Sequence, residues 1–211
     1  MNSCTSSPSL ACRPVGPGRP LLKSALAAAA LALACAGAQA APVMYQVDPA
    51  HTYPSFEADH MGISVWRGKF NTTRGEVQLD RVSGRGSLEV TVDIASVDFG
   101  LDAMNGMARS AELFDAAKYP TAVYKGRLEG FVDGVPTRVA GDLTLHGVTR
   151  PVELKINSFK CIPHPMLKRE LCGADVLGTI QRDEFGIDAG KAYGFRMDVT
   201  LRIQVEAIQA E

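Results

Sequence analysis

The final stretch of the chain allows very few folds. From Phe195 to Glu206 apolar residues take every second position (Phe195, Met197, Val199, Leu201, Ile203 and Val205), and Arg196, Asp198, Thr200, Arg202, Gln204 and Glu206 fill the positions between. Side chains alternate between the two faces of a β-strand, so this segment needs one dry face and one wet face. The same pattern runs from Leu88 to Ile94, with Val90 and Val92 on the apolar parity and Glu89, Thr91 and Asp93 opposite. Shorter copies lie at Phe56-Ala58-His60, Trp66-Gly68-Phe70, Val77-Leu79, Val139 to Leu145 and Val152 to Ile156, with weaker ones over 121–134 and 175–182. Period-two runs of this kind predict about eight to ten strands.

Ser83-Gly84, Asp133-Gly134 and His146-Gly147 carry hairpin-turn chemistry, so sequence neighbours should pair and the sheet should be antiparallel. One interval breaks the pattern. Over Leu101 to Tyr119 one or two short helices are expected, with Ser110 capping a helix that holds Leu113 and Phe114 until Pro120 ends it. A sheet wet on one side must hide its dry face by closing on itself or by stacking as two layers, and closure alone removes both edges. The expectation is an all-β domain with one or two short helices, a single antiparallel eight-stranded barrel; a sandwich is the second choice. A barrel of about eight strands has an interior that side chains can fill or that one slender ligand can occupy, and periodicity does not distinguish the two.

Residues 1–40 read differently. Arg13, Arg19 and Lys23 precede the run from Ser24 to Ala34, and Ala38-Gln39-Ala40 offers a small-x-small cleavage site. The run is short and alanine-rich for a membrane span, which needs ~20 apolar residues, and the layout is that of a signal peptide. A membrane anchor is the competing reading. The expected organisation is a signal peptide over 1–40 and one domain over 41–211, placed in the periplasm.

Losing three positive charges with the leader moves the formal net charge from -1 to -4. A mildly acidic surface without a Lys/Arg cluster argues against a nucleic-acid partner and against electrostatic docking on anionic lipid. No stable membrane span is expected in the mature chain, while a homodimer stays open. Outside the leader the cysteines are Cys161 and Cys172, and an isolated pair in an oxidising compartment points to a disulfide.

In order along the chain come Asp48-Pro-Ala-His51-Thr52, His60-Met61-Gly62 and Gly68-Lys69-Phe70, then Arg109-Ser110 and Phe114-Asp115. Lys118-Tyr119-Pro120-Thr121, the stretch Gly141-Asp-Leu-Thr144-Leu-His146-Gly147-Val-Thr149-Arg-Pro151-Val and Arg182-Asp-Glu-Phe185-Gly186 follow. This series resembles the YceI-like family of polyisoprenoid-binding periplasmic proteins, over about Met44 to Ala207. The resemblance implies a lipocalin-like barrel whose apolar tunnel holds a long isoprenoid chain, a polyprenyl phosphate or a quinone tail, with no other cofactor. One departure stands out: many relatives have a histidine shortly before the Arg-Ser pair, where this chain has Met107.

Strand parity and the resemblance together nominate Phe56, His60, Trp66, Phe70, Val90, Val92, Phe195, Met197, Val199, Leu201 and Ile203 as tunnel lining. His60 shares parity with Phe56, and its ring can bond a ligand head group or simply a backbone carbonyl. His51 is expected to pin the N-terminal segment across a barrel mouth. His51 and His60 sit on opposite parities, so no metal site is expected from them. His146-Gly147 suits a turn without any chemistry. The chain carries no Gly-x-Ser-x-Gly elbow, phosphate loop or dinucleotide fingerprint, so nothing positive supports an enzyme. Besides lipid carriage or sequestration, two rival readings are a filled barrel acting through its surface in envelope stress, and an enzyme acting on a bound lipid.

Overall fold

A computed structural model describes residues 41–211; the predicted signal peptide lies outside them. Eleven strand segments form one sheet, and the sheet closes because the first segment pairs with the last. The segments group into eight staves, which makes an eight-stranded closed antiparallel barrel. Segments β1 (Val43–Val47) and β2 (Tyr53–His60) run end to end along β11 (Asp198–Gln209) as the first stave. Segments β3 (Ser64–Phe70) and β4 (Thr73–Asp80) form the second, and β5 (Arg85–Asp93) with the short β6 (Val97–Asp98) the third. The remaining staves are β7 (Thr121–Glu129), β8 (Arg138–Leu145), β9 (Val148–Pro163), β10 (Glu170–Gln181) and β11, each antiparallel to the one before.

The first stave is broken because residues 48–52 must stand opposite residues 205–206 of β11, five against two. Thr52, fully buried, replaces the lost ladder: its hydroxyl donates to the Glu206 carbonyl and accepts from the Glu206 N–H, both at 3.1 Å. Buried backbone polar groups need partners, and here the Thr52 side chain shares that task with the Asp48 N–H, which also donates to the Glu206 carbonyl at 2.9 Å. Asp48 shapes the bulge by accepting the Ala50 N–H at 2.9 Å and pairing with His51 Nδ1 at 2.7 Å. His51 therefore ties a turn in the barrel wall, not a segment across a mouth.

Two further expectations need correction. The helix, α1 (Asp102–Arg109), lies ahead of Ser110, which ends it: the Ser110 hydroxyl donates to the Met107 carbonyl at 2.8 Å. Leu113 and Phe114 follow in turns, closed off by Asp115 at φ 44°. The last strand starts at Asp198, not Phe195. Gly190 and Gly194, at φ 80° and 84°, bracket a single 3-10 turn over Lys191–Tyr193, and the Phe195 ring folds back onto Gly190, where a β-carbon would stand 2.8 Å from it. Alternation continues through Phe195 and Met197 in sequence, but the glycines commit that segment to a loop.

The predicted hairpin turns are in place: Gly84, Asp133-Gly134 and His146-Gly147 all take positive φ. Cys161 and Cys172 are direct cross-strand partners on β9 and β10 and are bonded, S–S 2.04 Å.

Candidate functional site: an apolar cavity with one mouth

The inward parity of the staves encloses a cavity of about 970 Å³. Filled interiors hold few voids larger than a water molecule, so the barrel is hollow. Cavity size depends on where glycine replaces a larger residue on the inner face. A β-carbon at Gly68 would approach the Phe56 ring to 2.5 Å, so this glycine gives Phe56 its place. Phe56 then meets Phe70 and Phe99 with ring centroids 5.6 and 5.5 Å apart, and Phe70 meets Phe114 at 5.6 Å. On the facing wall a β-carbon at Gly141 would stand 2.9 Å from the Tyr124 ring, which lies across that gap.

The lining is almost wholly apolar, and its buried polar groups are already engaged. Tyr124 donates its hydroxyl to the Val152 carbonyl at 2.9 Å; burial, then the nearby Asp142 and Glu153, push its pKa well above the usual phenol value. Tyr45, only 2% exposed, donates to Glu170, and burial followed by that carboxylate raises its pKa likewise. Arg182 gives its guanidinium to the Ile187 carbonyl at 2.9 Å and the Ala189 carbonyl at 2.7 Å, and burial lowers its pKa. The arrangement offers dispersion contacts and desolvation along its length, with little hydrogen bonding left for a guest.

The two ends differ. At one end the lining residues Tyr45, Leu79, Leu128, Cys172 and Ala207 are all buried, and the cavity is closed. Glu170 sits there with Tyr45 and, at 3.8 Å, Arg81. At the other end Val65 and Trp66 of β3 and Leu101 and Met107 around α1 line the cavity and are exposed, so the cavity opens between the β2–β3 hairpin and the helix.

All the nominated lining residues except two border this cavity: Phe56, Trp66, Phe70, Val90, Val92, Phe195, Val199, Leu201 and Ile203. Met197 is buried but lies outside the lining, its carbonyl accepting from the Arg182 N–H at 2.9 Å. His60 is also outside it, stacked on Trp66 at 4.1 Å and edge-on to Phe195 at 5.2 Å, because the first two staves project past the barrel there. Met104, Met107 and Arg182 were not nominated; they come from the helix and a 3-10 turn, where period-two parity gives no signal.

His146 does more than turn the chain: its Nδ1 donates to the Phe185 carbonyl at 3.1 Å and ties the β8–β9 hairpin to the 3-10 turn over Arg182–Phe185. His51 and His60 do not meet. Among the described residues, Asp48, His51 and Glu206 have ligand-type atoms within 4.8 Å of one another, on the outer wall. No helix among the described residues is long and apolar enough to cross a membrane.

A YceI-like domain profile matches residues 45–207. The chain belongs to the YceI-like family. This YceI-like protein is 32% identical over 196 residues to a UPF0312 protein of Pseudomonas aeruginosa, covering 90% of this chain and all of that one. It is 36% identical over 138 residues to a UPF0312 protein of Vibrio parahaemolyticus, covering 64% of this chain and 73% of that one. Among solved structures, Burkholderia cenocepacia BcnA aligns with a TM-score of 0.60 at 21% identity, over 76% of this chain and 98% of its own. A polyisoprenoid binding domain from Saccharophagus degradans aligns with a TM-score of 0.55 at 18% identity, over 80% and 99%. These structural likenesses carry the fold of the YceI-like barrel.

Proposed function

We propose that this protein binds a long-chain isoprenoid lipid, a polyprenyl phosphate or a quinone, in its cavity, and carries or sequesters it in the periplasm after export. The observation that carries this reading is the apolar cavity of about 970 Å³, closed at one end and open at the other. Each buried methylene contributes ~0.8 kcal/mol, so a few enclosed isoprene units reach micromolar affinity after the entropy of association is deducted. Tyr45 and Tyr124 have their hydroxyls engaged, which suits a tail that brings no polar groups inside. The S. degradans domain, described as polyisoprenoid binding, supports the choice of ligand class. Periplasmic placement is supported by the leader-like first forty residues and by the Cys161–Cys172 bond, which an oxidising compartment favours.

The test is native mass spectrometry of the exported protein, followed by organic extraction and incubation of the stripped protein with a polyprenyl phosphate and with a quinone. A bound isoprenoid mass in the first step, or uptake in the second, is expected. A protein that leaves the cell empty and takes up neither compound overturns the reading.

A further inference from the structure

A cavity with one mouth forces everything that enters it through the same opening, and the border of this opening is apolar. Leu101 is 62% exposed, and with Met107, Val65 and Trp66 it both lines the cavity and faces solvent. The tip of the β2–β3 hairpin adds Met61 and Ile63, the latter 78% exposed. Hairpin and helix side meet at the mouth, since the Trp66 and Phe99 rings lie 6.5 Å apart. Exposed apolar residues also occur at the closed end, in hairpin turns (Val82, Val132, Met166 and Leu167) and in strands (Val43 and Ile162), but none of them lines the cavity.

The charges around the mouth narrow the choice of partner. Arg67 and Arg202 share the Glu57 carboxylate at 2.9 and 3.0 Å, and Arg196 reaches Asp59 at 3.6 Å and Asp198 at 3.7 Å. Asp59 is nearly buried and also accepts the Gly62 N–H, which holds the hairpin tip in position. These clusters set three cations against three carboxylates, and Glu112 adds one more carboxylate to the lining, so a net-basic patch, as anionic lipid would call for, is not formed, and a head group that brings its own positive charge, as a zwitterionic one does, fits the border. Contiguous apolar surface rimmed by polar residues marks an interaction site, and a tryptophan at its edge suits the membrane interface.

We infer that the mouth docks on a zwitterionic bilayer surface, with Ile63, Met61 and Leu101 inserted below the head groups, so that lipid passes between bilayer and cavity without crossing water. The inference rests on the lipid-binding reading above. It extends that reading by fixing the source of the ligand and the face that meets it.

The chain has a single tryptophan, Trp66, and it stands at the mouth, so its fluorescence reports docking and orientation together. The full mature protein is mixed with sucrose-loaded vesicles of phosphatidylethanolamine and phosphatidylcholine, with and without brominated acyl chains, and the vesicles are pelleted. Expected are protein in the pellet, quenching of Trp66 by the brominated lipid, and insensitivity to salt. Ile63→Asp and Leu101→Asp should each weaken partitioning about tenfold, as removal of one inserted large apolar side chain does. Val82→Asp, at the closed end, should leave it unchanged.

The docking assignment falls if protein stays in the supernatant, or if quenching remains with it after the vesicles are removed, which reports phospholipid uptake instead. It also falls if pelleting needs phosphatidylglycerol and vanishes with salt, or if Ile63→Asp dissolves a dimer while vesicles go unbound, since the second copy is then the occupant. Native mass spectrometry separates the two claims. A protein that carries isoprenoid but ignores vesicles loses only the docking face; one that docks but never carries lipid loses the cargo.

Discussion

At one end of the barrel Leu101, Met107 and Trp66 stand around an opening with few neighbours; at the other, Tyr45 lies sealed beneath Glu170 and Arg81, with the Cys161–Cys172 bond on the adjoining strands. Both ends are made from the same eight staves. They differ in what fills the mouth of the tube: large buried side chains at the closed end, a helix and a projecting hairpin at the open one. Stability should accordingly be concentrated at the closed end, and access at the open one, where local contacts are sparse.

Substitutions at the two ends sharpen that contrast. Tyr45→Ala removes a buried aromatic and leaves Glu170 without its donor, so it should cost about 3–5 kcal/mol in urea unfolding, whereas Leu101→Ala should stay within about 0.5 kcal/mol. Equal costs would break the distinction between the ends. Replacing both Cys161 and Cys172 with alanine should cost about 2–3 kcal/mol and lower Tm by roughly 5–10 °C; a Tm unchanged by reduction would show that the closed end does not depend on the bridge.

On the part of β11 nearer the open end, Val199→Phe and Leu201→Trp place larger rings into the cavity. Each should lower extractable lipid strongly while changing stability by under about 1 kcal/mol, where a filled core would lose about 1–3 kcal/mol from overpacking. Lipid retained at the wild-type level in both variants would remove β11 from the tunnel wall.

The smallest effect concerns the wall bulge. Partial burial pushes Asp48 up, but the hydrogen bonds from His51 and the Ala50 N–H outweigh it and hold the carboxyl below its usual range. The hydrogen bond to Asp48, then its charge, raises His51. What the Asp48 shift contributes is present above its ordinary unfolded value and lost as pH falls through its lowered one. What the His51 shift contributes is present below the unfolded histidine value and lost as pH rises through its raised one. The pair should therefore hold the bulge best between those limits. An NMR titration should find His51 titrating above an ordinary histidine, and returning toward one in Asp48→Asn.

Most of this fold can be read from strand parity, because a half-buried strand writes its two faces directly into the sequence: Val199, Leu201 and Ile203 are inside for the same reason that they alternate with Thr200 and Arg202. The same rule misplaced Met197, whose alternation continues past the point where Gly190 and Gly194 turn the backbone out of the ladder. It misplaced His60 as well, which lies where the stave has run beyond the closed barrel. Ser110 terminates the helix that the sequence pattern has it start, since a hydroxyl can cap either end and Asp102 to Arg109 contains Gly106 and no capping serine ahead of it. Period-two arguments do not reach the helix, so they missed Met104 and Met107, and with them the position of the opening. The hollowness of the barrel was not legible at all, because a filled and an empty interior share one binary pattern.

The seam of the barrel has a practical corollary. Tyr45 registers with Gln209, and the Ala210 N–H reaches the Met44 carbonyl at 2.8 Å, so the polypeptide enters and leaves this domain side by side at the closed end. An affinity tag or sensor-chip linker joined just ahead of Val43 or just after Ala210 would leave the barrel at the pole opposite the opening. A copy leashed to a surface by its terminus would face the mouth away from it, while a released copy is free to turn over.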